Sequence, residues 1–392
     1  MLHILQVGNY MVEPGSGVAK KTHALVRAFR SQGQQVMVHA VVDENQSHFG
    51  EAHGDIHLYS CQRAERANAV RQLIQSHVGP GDAILFRYPW ASAEMLEVVR
   101  AFGHQIVFEH NTDEEAEALL LQREHLERMP FRLSWSYLHY WFRTQILHRT
   151  VESTIGPRML QAVSGGVCMT EELAERERGR YSNYITKAIA NGCALGEHKS
   201  DFFLPINDSF RAVMLIGAPA PWHGLDRVFK GLQSFAHTNV VIRLDVIGVS
   251  DAGQMTFPAG VEVLFLGRLD DNAIEALLPE YHIGIGTLAL HRKRMREACP
   301  LKVRQCMAAG LPMVLGYRDT DISPVGGLSP FVLQVAPDDA PLDWRSIIQF
   351  YEQLLASTHT RENMLREVKN VMSVESKAEA IAAFMKSLGL SF

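Results

Sequence analysis

The densest concentration of reactive side chains in the sequence is His291-Arg-Lys-Arg-Met-Arg-Glu-Ala-Cys-Pro-Leu-Lys302. Arg292, Lys293, Arg294 and Arg296 put four cations within five positions, and the run leads into a helical pattern whose start is marked by Pro300. Helix starts carry unpaired N–H groups and the positive end of the dipole, so cations gathered there suit a phosphate. A solvated charge run is the plainer alternative. Glu297 sits between these cations and the helix, where a carboxylate accepts hydrogen bonds from hydroxyls while its neighbours balance its charge. Lys302 and Gln305 are three apart and share a helix face. Glu297, Lys302 and Gln305 thus read as a site for a polyhydroxylated, phosphorylated ligand; the opposing reading is a structural ion pair between Glu297 and one of the arginines.

Two further candidates lie in the first half. Gly15-Ser-Gly-Val-Ala-Lys-Lys-Thr22 resembles a P-loop at a glance, but Lys20 stands where that loop needs a glycine. It also starts too far beyond the strand that ends at Val7 for a dinucleotide fingerprint. What remains is a Gly-rich loop, Gly15, Ser16 and Gly17, opening a helix whose amides can hold a phosphate or a sugar hydroxyl. His110 follows an apolar strand over residues 105–109, with Asn111 and Thr112 beside it. Ligands of open α/β sheets bind outside the carboxyl ends of strands, so His110 is expected to face the cleft; a hydrogen-bonded structural histidine is the alternative.

These residues need elements to hold them. Strand patterns over residues 3–7, 35–42, 83–86 and 105–109 alternate with helical ones over 18–30, 64–77 and 92–102, which implies a parallel sheet covered on both faces. Helical patterns dominate 114–152, and short apolar runs follow at 160–163 and 185–189, before Asn191-Gly192. Beyond a linker over 193–208 the alternation restarts, with strands at 211–216, 241–247, 261–266, 282–286, 313–315 and 331–335 and helices at 225–235, 272–278 and 300–309. Val374, Ala378, Ile381, Met385 and Leu388 form one apolar stripe on a final helix. The expected class is α/β, two Rossmann-like doubly wound lobes.

Composition limits the function classes. With 392 residues, 47% hydrophobic and 21% charged, the chain is a multi-domain globular protein, and disorder is excluded as its main state. Its charge, 38 − 43 = −5, supplies no general field for nucleic acid, and the basic run lacks interleaved aromatics, so no nucleic-acid partner is expected. Five widely spaced cysteines (Cys61, Cys168, Cys193, Cys299, Cys306) without a Cys-x-x-Cys pair argue against a disulfide framework or a zinc ribbon, and for a reducing cytoplasm. The first eight residues enter a strand pattern without the features of a signal peptide, and no window is apolar enough to span a membrane. Residues 131–149 mix Phe131, Trp135, Tyr140, Trp141 and Phe142 with Arg132, Arg143 and Arg149, which suits peripheral membrane contact, against the plainer reading of a core helix.

Three stretches carry a family resemblance: Pro221-Trp-His-Gly-Leu-Asp-Arg227, Leu266-Gly-Arg268, and Glu297-Ala-Cys-Pro-Leu-Lys-Val-Arg-Gln-Cys-Met-Ala-Ala-Gly-Leu-Pro312. They look like the donor-binding lobe of group 1 glycosyltransferases of the GT-B fold. Asn191-Gly192 is similar to the pair ending that family's first lobe, and Gly15-Ser-Gly17 to its glycine loop. The resemblance implies an acceptor lobe over 1–192, the linker over 193–208, a donor lobe over 209–373, and a helix over 374–392 crossing back to the first lobe. It implies transfer of a sugar from a nucleoside diphosphate sugar to a glycan or lipid-linked glycan acceptor in bacterial surface glycan synthesis, with retained configuration, no cofactor and no metal. Of the family's two helix-motif glutamates this chain keeps Glu297 and has Gln305 for the second. After Gly217, Ala218 and His223 stand where many members carry the arginine and lysine that hold the diphosphate, leaving Arg292, Lys293 or Lys302 to supply that charge. Arg268 joins the donor-binding residues on the same grounds, and His110 and Glu297 orient the reacting sugar. Two rivals are a GT-B nucleotide-sugar epimerase and a non-catalytic GT-B subunit that binds a sugar nucleotide or a partner enzyme.

Overall fold

Strand-forming runs rich in Val, Ile and Leu, each followed by an amphipathic helix, leave the chain few arrangements other than parallel sheets with helices on both faces. The computed structural model describes residues 1–11, 16–44, 56–113, 120, 148–195, 202–217, 219–235, 240–251 and 255–392. The chain divides into two units, Met1–Ala190 with Val374–Phe392, and Asn191–Ser373.

In unit 1, strands β1 (Leu2–Val7), β2 (Val36–Asp43), β3 (Ile56–Cys61), β4 (Ala83–Arg87), β5 (Ile106–His110), β6 (Gly165–Cys168) and β7 (Thr186–Ala188) lie in the order β3-β2-β1-β4-β5-β6-β7, all parallel. Helices α1 (Gly17–Ser31), α2 (Arg66–His77), α3 (Ala93–Phe102), α4 (His148–Ala162) and α5 (Glu171–Arg180) belong to the same unit. Leu5, Val41, Ile84, Phe86 and Phe108 of the sheet pack with Leu73, Ile74, Met95 and Val99 of α2 and α3. The sequence reading expects an apolar run at 160–163 and has no strand at 56–61. The structure makes 160–162 the end of α4 and places the strand at Gly165–Cys168. Its two glycines hide the strand signal, and they are needed because a Cβ on Gly166 would collide with the Tyr184 hydroxyl.

Unit 2 repeats the plan. Strands β8 (Ser209–Leu215), β9 (Val241–Ile247), β10 (Val261–Gly267), β11 (Ile283–Ile285), β13 (Met313–Leu315) and β15 (Val332–Gln334) lie in the order β10-β9-β8-β11-β13-β15, while β12 (Glu297–Ala298) pairs separately with β14 (Arg318–Asp319). Helices α6 (Leu225–Gln233), α7 (Asp271–Leu277), α8 (Leu301–Ala308), α9 (Trp344–Ala356) and α10 (Arg361–Met372) cover the sheet. In each sheet the order reverses beside its first strand, β1 or β8, which puts the ligand-binding crevice of a doubly wound sheet beyond the ends of β1 and β4, and of β8 and β11. The final helix α11 (Val374–Ser387) belongs to unit 1, where Val374, Ala378, Ile381 and Met385 are buried and the Gln32 side chain donates to the Glu375 carbonyl at 2.9 Å. No helix among the described residues is long and apolar enough to cross a membrane.

Candidate functional site

In unit 2 the loops after β8 and β11 are joined by backbone hydrogen bonds. Leu288 N–H donates to the His223 carbonyl at 3.1 Å and Ala289 N–H to the Trp222 carbonyl at 3.0 Å. Gly224, at φ +73°, makes the turn into α6, and a Cβ there would press on the Leu288 Cβ at 2.9 Å. Gly217 opens the preceding loop, and an added Cβ would meet nothing within 4 Å, so it leaves space rather than relieving a clash. The constrained glycine is Gly248, at φ +100° after β9, where a Cβ would collide with the Ile216 carbonyl. Ala218 lies outside the described residues. Lys293 is buried, its Nζ 4.7 Å from the centre of the Trp222 ring, and the His223 ring lies 5.9 Å from that of Trp222. Arg268 is exposed just past the edge strand β10.

Arg292, one of the candidates for the diphosphate, is engaged by protein. Its Nη1 and Nη2 donate to the two Asp226 oxygens at 2.9 Å each, its Nε and Nη2 to Asp339 Oδ1 at 2.8 and 2.7 Å, and its Nη1 to the Pro221 carbonyl at 2.7 Å. A guanidinium has five N–H donors, and all five face protein. The hydrogen bonds to Arg292 hold both carboxyls below their usual range, and those carboxylates raise the guanidinium in turn. Arg292 is a clamp between the 221–226 loop and Asp339. Arg294, exposed, sits at φ +57° in the turn that follows, an uncommon conformation for a residue with a Cβ.

Glu297 lies in β12, its side chain mostly buried, and accepts from Arg318 Nη2 at 2.9 Å. An ion pair with an arginine therefore exists, but the partner comes from β14 and is itself 60% exposed. Pro300 occupies the N-cap position of α8 with no side-chain cap. Along α8, Leu301, Lys302 and Gln305 are half-buried while Val303, Arg304, Cys306, Met307 and Ala308 are buried, so Lys302 and Gln305 share the face turned to solvent. Arg304, which the sequence reading passes over, points inward: its two Nη atoms donate to both Asp319 oxygens at 2.9 and 2.7 Å and to Asp321 at 3.0 Å, and its Nε to the Asn191 carbonyl at 2.9 Å. Burial alone would favour loss of its proton, but the two carboxylates outweigh burial and keep it charged. Asn191 also donates from its side chain to the Cys299 carbonyl at 2.9 Å, so the Asn191-Gly192 motif fastens the start of unit 2 to the segment before α8.

In unit 1 the last two residues of β5 point to opposite faces. Glu109 is buried and pairs with Lys21 Nζ at 2.7 Å; that ammonium also donates to Asn111 Oδ1 at 2.7 Å. Burial pushes the Glu109 carboxyl upward, and Lys21, with Arg87 and Asn111, more than reverses it, leaving the group below its ordinary range. Lys21 belongs to the Gly15-to-Thr22 stretch, but nothing in that stretch points to Glu109 as its partner. His110, expected just beyond the strand, is instead its last residue and is buried, because the strand runs one residue past its apolar stretch. Its Nε2 lies 3.0 Å from the Tyr184 hydroxyl, its Nδ1 3.9 Å from Glu177, and its ring stacks on Tyr88 at 5.0 Å. Burial lowers its pKa against the pull of Glu177. It lines a pocket with Tyr88, Trp90, Thr112, Asp113 and Arg176, whose charges are matched: Arg176 pairs with Asp113, and Arg180 with Glu152 and Glu177 at 2.9 and 2.8 Å. The Ser16 hydroxyl caps α1 by accepting from Ala19 N–H at 3.4 Å, and Gly17 begins the helix. Gly15 and residues 131–147 lie outside the described residues; Arg149 is exposed in the first turn of α4.

No group of three or more His, Cys, Asp or Glu among the described residues is arranged to hold a metal ion. No family model matches the chain. No curated protein matches it. Solved structures do. A glycosyltransferase from Rickettsia africae ESF-5 matches with a TM-score of 0.59 at 11% identity, over 100% of this chain and 99% of that one. A lipopolysaccharide outer core galactosyltransferase in its apo form matches with a TM-score of 0.57 at 10% identity, over 98% and 99%. An alpha-glucosyltransferase in complex with UDP and a 13-mer DNA matches with a TM-score of 0.55 at 9% identity, over 98% and 100%. With two parallel sheets of seven and six strands, this chain has the GT-B fold, and at such identities the likeness is one of fold.

Proposed function

We propose that the protein is a retaining, metal-independent glycosyltransferase. In this reading unit 2 binds a nucleoside diphosphate sugar, and unit 1 serves a hydroxyl acceptor, a glycan or lipid-linked glycan of a bacterial surface. The observation that carries it is the solvent-facing side of α8, where Lys302 and Gln305 stand beside an uncapped helix start that follows Glu297. Lys302 and those amides meet the diphosphate and offset the negative charge that grows on the leaving group, in place before the reaction begins. Lys293 adds positive charge from the Trp222 wall, and Gly217, His223 and Arg268 border the donor. Glu297 accepts from the donor sugar's hydroxyls, Gln305 accepts from a ribose hydroxyl without the charge that strengthens such a bond, and His110 orients the reacting sugar. The Gly15, Ser16 and Gly17 loop serves the acceptor side. Arg292 has no part in this set. A cytoplasmic site of action, with peripheral membrane attachment through residues 131–149, belongs to the same proposal.

One specific observation favours the rival of a non-catalytic sugar-nucleotide binder: Arg292 is wholly engaged by protein. Melting with UDP and GDP, with and without a chelator, followed by product analysis, separates the readings. The enzyme reading expects stabilisation that survives the chelator, and transfer that falls roughly ten- to hundredfold in Glu297→Ala and Lys302→Ala, each still folded at the assay temperature, because a charge-assisted contact is worth about 1.5–3 kcal/mol. Binding without turnover selects the rival, and no response to either nucleotide ends both.

A further inference from the structure

A second cluster lies in unit 1, apart from every residue discussed so far. His3 of β1, His39 of β2, His57 of β3 and His77, the last residue of α2, bring four imidazoles together. The rings of His39, His57 and His77 form a near-equilateral triangle with centres 5.4, 5.4 and 5.7 Å apart. His3 and His39 are buried, while His57 and His77 are exposed.

The tautomers follow from Asp82. Its carboxylate can only accept, so it takes the hydrogen bond of His3 Nε2–H, 3.2 Å away. A neutral His3 then has a bare Nδ1, which accepts from His39 Nε2–H at 3.0 Å. His39 Nδ1 is left as a lone pair, buried and with no hydrogen-bond partner among the described residues. The two nitrogens of an imidazole face nearly opposite ways. Nδ1 therefore looks away from His3 and β1, toward the side of β3 and α2 that holds His57 and His77.

We propose that His39, His57 and His77 bind a divalent transition-metal ion of the zinc class, with Asp82 and His3 as the relay that fixes the His39 tautomer. A carboxylate or carbonyl behind a metal-bound histidine is the usual orienting device, and here it is built in through a second imidazole. A tetrahedral ion with ~2.1 Å metal–nitrogen bonds spaces two imidazole centres by about 5.2 Å, close to the triangle observed. No metal-ready group stands among the described residues, so binding requires the three donor nitrogens to be brought to one point. The exposed His57 and His77 have to turn, and His77 gives up its contacts with the Leu73 carbonyl at 3.2 Å and the Tyr59 hydroxyl at 3.3 Å; exposed side chains change rotamer on the ps–ns scale. An all-imidazole set suits zinc, nickel or copper rather than calcium or magnesium. Bound there, the ion ties β3, the edge strand of the sheet, and the end of α2 to β2. This inference does not rest on the glycosyltransferase reading.

The test is titration of the untagged full chain with Co2+ at pH 7.5, read by visible ligand-field absorption. The expected result is the intense bands of tetrahedral cobalt without a sulfur charge-transfer band, and displacement of the cobalt by Zn2+. The His57→Gln/His77→Gln double variant, changed only at exposed positions, is expected to melt like the parent without metal and to lose the bands. His104→Gln, an exposed histidine elsewhere, is expected to keep them. Asp82→Asn is expected to weaken Co2+ by about tenfold or more. Absence of the bands in the parent chain, or equal binding by parent and double variant, overturns the proposal, and an unchanged affinity in Asp82→Asn overturns the relay.

Discussion

The end of β5 in unit 1 and the start of α8 in unit 2 both gather charged side chains beside a doubly wound sheet, and they dispose of them differently. Around His110 the carboxylates are buried and each meets a cation that is only half-buried: Glu109 with Lys21, and Glu152 and Glu177 with Arg180. Along α8 the two kinds alternate on one helix, Arg304 turned in to Asp319 and Lys302 turned out with Gln305. Buried, matched charges have their hydrogen bonds already made and serve to hold backbone in place. Half-exposed polar groups beside an uncapped helix start lie where a ligand can reach them. Charge in a crevice is therefore not one signal but two, distinguished by which way the side chain faces.

The largest effect expected from this contrast is at Arg304. Arg304→Ala leaves Asp319 buried without its main partner, and breaking such a pair costs about 3–5 kcal/mol. Lys302→Ala, two residues away on the outer face, is expected to cost less than ~1 kcal/mol of stability. Urea unfolding of both variants decides the point. Equal losses would erase the distinction between the inner and outer faces of α8.

A smaller effect separates the units by pH. His39 in unit 1 has its pKa lowered to about 3, by burial first and then by His3, His57 and His77. In the unfolded chain it takes a proton near pH 6.5, so below that pH the unfolded state binds more protons than the folded one, and stability falls as pH falls. The opposing charges nearby are Asp82 and, across it, the terminal amine of Met1, 2.8 Å from that carboxylate. Between pH 7 and pH 5 the histidine alone removes about 2 kcal/mol. Denaturation in the presence of a chelator, with hydrogen exchange to locate the loss, is expected to show unit 1 weakening first. A pH-independent midpoint over that range would mean that His39 takes up its proton as readily in the folded protein as in the unfolded chain.

Much of the architecture can be read from the sequence, and the reason is local. Strands such as Ile106–His110 are short apolar runs beside amphipathic helices, and the stripe of Val374, Ala378, Ile381 and Met385 declares a buried helix face without saying what covers it. The Lys302 and Gln305 face was legible because i, i+3 spacing is a property of any helix. Partners distant in sequence are not legible. Nothing near Arg292 announces Asp339, nothing near Glu297 announces Arg318, and nothing near Glu109 announces Lys21. The basic run from 291 to 296 therefore reads as one cluster in the sequence and separates in space into a clamp, a cation over Trp222 and exposed residues. The strand at Gly165–Cys168 escaped because glycine carries no strand signal, although the crowding by Tyr184 demands it.

The smallest effect is also the finest test of the outer face. In the proposed donor site Gln305 accepts from a ribose hydroxyl, for which a carboxylate would be the stronger acceptor, and it lies three residues from Lys302 on the same side of α8. In Gln305→Glu the charge strengthens that bond by about 1 kcal/mol, roughly fivefold in affinity, while a new i, i+3 pairing with Lys302 takes back about 0.2–0.5 kcal/mol by drawing the ammonium from the diphosphate. The expected net result is a two- to fourfold tighter complex with UDP or GDP, whichever the protein prefers, since ~0.5–0.8 kcal/mol corresponds to that ratio. The matching 2′,3′-dideoxy nucleotide offers no hydroxyl to accept from, so its affinity should stay level or fall slightly under the same substitution. Calorimetric titration of both ligands against both proteins isolates the hydroxyl contact as a difference of differences. If the substitution shifts the two nucleotides equally, Gln305 does not touch the ribose, and the proposed donor site loses its ribose contact on α8.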